Sequence, residues 1–168
     1  AKAPFDNVKV RQAVAYALDK DAMLQGINDN IGTKVDTVIL SGGIGYTDKI
    51  QVYDYNLEKA KALLDEAGYA NGFTCDIHVP SDVYGKYAQV LQNSLREIGI
   101  TANIKQEELS AFKVSTNGGN YDMAINGCSF TVMDVFESCG ELVYGPRIGD
   151  TNNTFYNNPR VNALFDEA

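Results

Sequence analysis

Residues 73–104 read FTCDIHVPSDVYGKYAQVLQNSLREIGITANI, and this run decides the fold. Phe73, Cys75, Ile77 and Val79 alternate with Thr74, Asp76 and His78, the period-2 pattern of a strand with one buried face. Pro80-Ser81-Asp82 stops it. From Tyr84 to Ile98, the residues Tyr87, Ala88, Leu91, Leu95 and Ile98 share one helical face. Gly99 ends that helix, and Ile100, Ala102 and Ile104 resume the alternation. Strand, helix and strand with short links make a βαβ unit, so the strands are expected to be parallel and the crossover right-handed. Phe73, Cys75, Ile77, Leu91, Leu95 and Ile104 are expected in its core.

Upstream, Val10, Ala13, Val14, Ala17 and Leu18 form an apolar stripe on a helix that Asp6 or Asn7 caps. Asp19 is placed to cap a second helix, Lys20 to Gln25, which Gly26 is placed to end. Between there and Tyr55, Val35, Val38, Ile39 and Leu40 suggest one short extended piece and Ser41-Gly42-Gly43 a turn. Asn56 caps a helix from Leu57 to Ala67 that turns its Leu57, Ala60, Leu64 and Ala67 inward and ends on Gly68.

Downstream, Glu107 to Val114 reads as a short helix. Gly118-Gly119-Asn120 turns the chain into a third strand, Tyr121 to Ile125. Gly127 to Gly149 reads as aperiodic, and irregular stretches of that length in compact domains are usually functional or disordered. Asn158 as cap and Pro159 at the first helical position open a last helix with Val161, Leu164 and Phe165 inward. It stops in mid-pattern at Ala168, and the chain starts at Ala1 without a methionine, signal peptide or lipoprotein cysteine, which together read as a processed or excised piece.

At 168 residues the chain suits one domain, residues 1–168, or one lobe of something larger. Fourteen Lys plus Arg against 22 Asp plus Glu give a net charge of −8. Nucleic acid and anionic membranes are therefore poor partners, since binding either depends on neutralising phosphate. Cys75, Cys128 and Cys139 lack the C-x-x-C spacing of a zinc or redox site. Cys75 reads as core. In an exported protein Cys128 and Cys139 could pair across a short loop, although the odd count tells against a dedicated disulfide framework.

No catalytic or metal-binding constellation is visible. His78 is the single histidine, and no partner that would make it a triad or metal ligand can be identified from sequence; it reads as structural or exposed. Ser41-Gly42-Gly43-Ile44-Gly45 lacks the Lys-Ser/Thr and the strand-to-helix setting of a phosphate loop. Glu107-Glu108 and Asp65-Glu66 read as solvated faces rather than acid–base pairs. What remains is Cys128-Ser129-Phe130-Thr131-Val132-Met133-Asp134, directly after a strand's carboxyl end, where open α/β sheets bind ligands. The competing reading is a packed connector with Phe130, Val132 and Phe136 as core.

Four stretches in order, Phe5 to Lys20, Tyr55 to Tyr69, Tyr121-Asp122-Met123, and Asn157-Asn158-Pro159, resemble the second lobe of extracytoplasmic solute-binding proteins of family 5, the oligopeptide/dipeptide receptors of ABC transporters. The resemblance implies an α/β lobe of the type II periplasmic-binding-protein fold: a mainly parallel sheet flanked by helices, facing a first lobe that is absent here. It implies a non-enzymatic monomer, with no cofactor, outside the cytoplasm, periplasmic or anchored as a lipoprotein. Its partners would be a small solute, peptide or oligosaccharide, and an ABC permease. Ligand contacts would come from Cys128, Ser129, Phe130, Thr131 and Asp134, because in the family the segment after Tyr-Asp-Met lines the interlobe cleft. Peptide-binding members carry tryptophan where Cys128 stands and an aspartate, partner of the peptide's α-amino group, where Thr131 stands. Asp134 keeps the first acidic position of the following D-P-D-like motif. These departures point toward a neutral or differently arranged solute. The readings from other classes are an enzyme domain of similar fold and a structural or adhesive module.

Overall fold

The computed structural model describes residues 2–127 and 135–167. Contacts divide the chain into two compact units: Ala1–Lys34 with Val52–Phe112 and Tyr121–Asn126, and Val35–Gln51 with Lys113–Asn120 and Gly127–Ala168.

The first unit is built on the βαβ run. Strand β1 (Phe73–Val79), helix α4 (Asp82–Glu97) and strand β2 (Ile100–Gln106) follow one another as the alternation predicts. β1 and β2 pair in parallel with Phe73 opposite Ile100 and Val79 opposite Gln106. Among the described residues the sheet has three strands in the order β2-β1-β3, and β3 (Met123–Ala124) is also parallel to β1. Cys75, Ile77, Leu91 and Leu95 are buried as expected, whereas Phe73 and Ile104 are only partly buried against the core. Burial, with the nearby charges of Asp122 and Asp76, pushes the Cys75 thiol up to about 12, so it stays protonated and unreactive as a core residue.

The helices before the sheet join the same core. α1 (Val8–Ala17) starts where the Asn7 side chain accepts from the Lys9 N–H at 2.9 Å. Its stripe buries Val10, Ala13 and Ala17, with Val14 and Leu18 packed at the margin. α3 (Leu57–Glu66) is capped by Asn56, whose own N–H donates to Tyr16 O at 2.8 Å and so ties the start of α3 to the end of α1. Lys59 Nζ lies 4.3 Å over the Tyr16 ring. Phe73 receives Phe5 and Tyr69 edge-on, with centroids at 5.7 and 5.4 Å.

Several boundaries differ from the sequence reading. α2 runs over Lys20–Asn28, straight through Gly26, and stops where Asp29 and Asn30 take φ of 50° and 59°. Asp and Asn tolerate the left-handed region, so they supply the terminus assigned to glycine. No strand forms over Val35–Leu40, although the turn that follows is present, with Gly43 N donating to Leu40 O at 2.9 Å. The helix expected from Glu107 begins two residues later, as α5 (Leu109–Asn117).

In the second unit, the stretch read as aperiodic contains α6 (Val135–Val143) and a 3-10 turn, Gly145–Arg147. Val135, Cys139, Leu142 and Val143 do follow an i, i+4, i+7, i+8 spacing, and Cys139 is buried. Cys128 lies outside the described residues, and with it the pairing of Cys128 and Cys139. Asn152 is fully buried, and its Nδ2 donates to Tyr144 O and Tyr156 O at 3.0 and 2.9 Å. α7 (Pro159–Glu167) is capped by Asn158 as expected, but Leu164 is 60% exposed, while Phe165 packs its ring 5.5 Å from that of Tyr144.

Candidate functional site

Parallel pairing brings the carboxyl ends of three strands to one edge. There Val79 O accepts from Glu107 N at 3.0 Å and His78 O accepts from Ile125 N at 3.0 Å, so the ladder continues one residue beyond both outer strands. In open α/β sheets this edge is where loops gather around a ligand. Cys128, Ser129, Phe130, Thr131 and Asp134, the ligand residues read from the sequence, follow β3 after this edge but lie outside the described residues. The described chain resumes at Val135, the first residue of α6.

What the edge does hold is a polar row on the face opposite Cys75, Ile77 and Val79. His78 Nδ1 and Glu107 Oε2 are 2.9 Å apart, with side chains 13% and 24% exposed. Asp76 Oδ1 accepts from Asn103 Nδ2 at 3.0 Å. His78 thus has the partner that its sequence neighbourhood did not reveal, and Glu107 is half-buried rather than on a solvated helix face. The register explains the pair: His78 lies opposite Lys105, so Glu107, two residues on, returns to the same face.

Asp122 completes the row. Expected inside a five-residue strand, it instead precedes a two-residue one, and its Oδ2 accepts from Asp76 N at 3.0 Å. The carboxylate thereby takes the β1 N–H that a longer third strand would have paired. Lys2 Nζ lies 3.0 Å from the other oxygen. Partial burial alone would raise the Asp122 pKa, but the Asp76 N–H, the Lys2 ammonium and the nearby His78 together lower it below the ordinary carboxylate value. A depressed folded-state pKa contributes stability above the unfolded value of roughly 3.9 and loses it as pH falls through the folded value. Asp122→Asn is therefore expected to lower stability by about 1 kcal/mol at neutral pH, an estimate discounted for the exposure of Lys2. The difference from wild type should shrink as acid titrates the carboxylate. Urea unfolding between pH 7 and pH 3 checks this; a deficit that persists unchanged in acid would mean that the charge is not responsible.

Among the described residues no three His, Cys, Asp or Glu side chains gather as a metal site, and no helix is long and apolar enough to cross a membrane. The edge offers instead a histidine oriented by a carboxylate, with hydrogen-bonding groups beside it.

The family model described as bacterial extracellular solute-binding proteins, family 5 Middle, matches residues 1–149. The chain is 34% identical over 173 aligned positions to Heme-binding protein A of Haemophilus influenzae, covering 99% of this chain and 32% of that protein. It is 34% identical over 133 positions to the Dipeptide-binding protein of Escherichia coli, covering 75% of this chain and 25% of the relative. Among solved structures, it superposes with a TM-score of 0.90 at 31% identity on the ABC transporter-associated periplasmic binding protein DppA from Helicobacter pylori in complex with peptide STSA, covering 99% of this chain and 33% of that one. The chain thus spans about a third or less of the length of these relatives.

Proposed function

The chain belongs to the bacterial extracellular solute-binding proteins of family 5, and on that premise we propose that it is the second lobe of a two-lobe receptor that captures a small, peptide-like solute and hands it to an ABC permease. The observation that carries this reading is the similarity to binding proteins over 99% of this chain but only about a third of their length, as a lobe of a clamshell would give. Binding would be by hinge closure on the carboxyl edge of the sheet, with no bond made or broken. The receptor would work outside the cytoplasm as a monomer, free in the periplasm or anchored as a lipoprotein. Cys128, Ser129, Phe130, Thr131 and Asp134 would contribute contacts from the segment after β3.

Thr131 favours a second reading within the same class. A cationic α-amino group buried between lobes needs an anion beside it, because an uncompensated buried charge is strongly unfavourable, and a hydroxyl supplies only a dipole. A neutral or differently arranged solute, such as an oligosaccharide or modified peptide, would suit this loop better than a free-amino peptide. The test is a thermal-shift screen of the full-length receptor against panels of di- to pentapeptides and oligosaccharides, with Thr131→Asp alongside. Thr131→Asp is expected to strengthen free-amino peptide binding by about tenfold, the worth of one charge-assisted hydrogen bond. Strong stabilisation of the unmutated protein by simple peptides, abolished by Asp134→Asn, would overturn the second reading and make Asp134 the anchor. No stabilisation by any small solute would overturn the receptor reading itself.

A further inference from the structure

We propose that Asn126 is a self-modification site: its side-chain amide condenses with the backbone nitrogen of Gly127 and leaves aspartate or isoaspartate just after β3. Asn-Gly is the dipeptide in which this reaction is easiest, because an asparagine side chain reaches neighbouring backbone groups and glycine has no Cβ to obstruct the approach. The chain has three such pairs, Asn71-Gly72, Asn117-Gly118 and Asn126-Gly127. Their covalent chemistry is the same, so the fold alone separates them.

Two of the pairs are locked. Gly72 N donates to Tyr69 O at 2.8 Å, and a Cβ on Gly72 would lie 1.8 Å from the carbonyl oxygen of Gly99, so its backbone has no room to turn. Gly118 N donates to Val114 O at 3.0 Å, closing the last turn of α5. A nitrogen that is already donating must give up its bond, and its peptide plane must turn, before it can attack. At Asn126 these restraints are missing. The ladder bond from Ile125 N to His78 O, at 3.0 Å, lies one residue earlier. Among the described residues no hydrogen bond engages Asn126 or Gly127, and both are exposed to water.

The step balances with water as its only co-reactant. Gly127 N loses its proton to solvent and attacks Cγ of Asn126; the new C–N bond closes a succinimide ring, and the amide nitrogen leaves as ammonia. Water then adds to one of the two ring carbonyls. Opening gives aspartate by one route and isoaspartate, with the main chain running through the side-chain carbons, by the other. Either product adds a carboxylate to a chain whose net charge is already −8. Isoaspartate also lengthens the backbone by a methylene. Both changes fall on the lead-in to Cys128, where the segment that the sequence assigns to the ligand begins.

The test incubates the full-length protein in mildly alkaline buffer made with heavy-oxygen water, digests it, and follows the three Asn-Gly peptides by mass spectrometry. Carboxyl methylation by an isoaspartyl methyltransferase is the second readout. In the folded protein Asn126 should convert at least about fivefold faster than Asn71 or Asn117, the worth of one backbone hydrogen bond, and methylation should concentrate on its peptide. In urea the three should convert at matching rates, since the protection comes from the fold. Gly127→Ala, whose methyl group hinders the attack, should slow Asn126 and leave the other two pairs unchanged. A smaller lead for Asn126 in the folded protein, or an Asn126 that converts in urea but stays intact when folded, would overturn the inference.

Discussion

Gly72→Ala is expected to destabilise the first unit by about 3–5 kcal/mol. Gly72 has φ +70°, and a Cβ there would lie 1.8 Å from the carbonyl oxygen of Gly99 and 2.5 Å from its carbon. Both obstacles are backbone, so no rotamer change relieves them. The two glycines immediately precede β1 and β2, and their close approach sets Phe73 opposite Ile100 and every later pair of the ladder. An added methyl must therefore push the starts of two strands apart, in addition to roughly 1–2 kcal/mol for a left-handed non-glycine residue. Gly68→Ala is the control, since Gly68 has φ +83° but nothing within 4 Å of a would-be Cβ. It should cost only about 1 kcal/mol. Urea unfolding of both variants decides the matter, and a Gly72→Ala deficit no larger than that of Gly68→Ala would refute the close-approach account.

That contact also marks where the sequence stops being informative. Local periodicity made β1, the helix after it and β2 legible, because each buries one face and repeats at its own period. A backbone-to-backbone approach between Gly72 and Gly99 has no such signature. Nor has the His78–Glu107 pair: the residues are 29 apart, and they meet only once the parallel register is known. With that register in hand, the parity of His78, Lys105 and Glu107 would have found the pair. Other misses have local causes. Gly26 carries a local stop signal, but the left-handed residues that end the helix are Asp29 and Asn30. α6 is hard to read from sequence because polar residues and Gly140 interrupt its apolar spacing. Asp122 replaces strand pairing with a side-chain acceptor, which shortens β3 without changing its apolar pattern. The segment from Cys128 to Asp134 carries the ligand reading from sequence alone, while the carboxyl edge of the sheet is built from residues that the sequence marks as ordinary structure.

Leu91→Ala should cost about 2–5 kcal/mol, because it removes buried methyl groups and leaves a cavity that rigid neighbours cannot fill. Leu91 is 5% exposed on the helix between β1 and β2, and Ala88 and Leu95, one turn away on either side, are fully buried. The sheet beneath presents Cys75, Ile77, Ile100 and Ala102 to the same core. Cys75 and Ala102 are short, and the strands are fixed by their ladder, so collapse onto the missing side chain would require breaking strand pairs. The loss should therefore lie toward the upper part of the range, as a lower urea midpoint with an unchanged slope. The same helix spans the crossover that delivers His78 and Glu107 to one edge. A deficit below about 1 kcal/mol would show that Leu91 does not anchor the crossover.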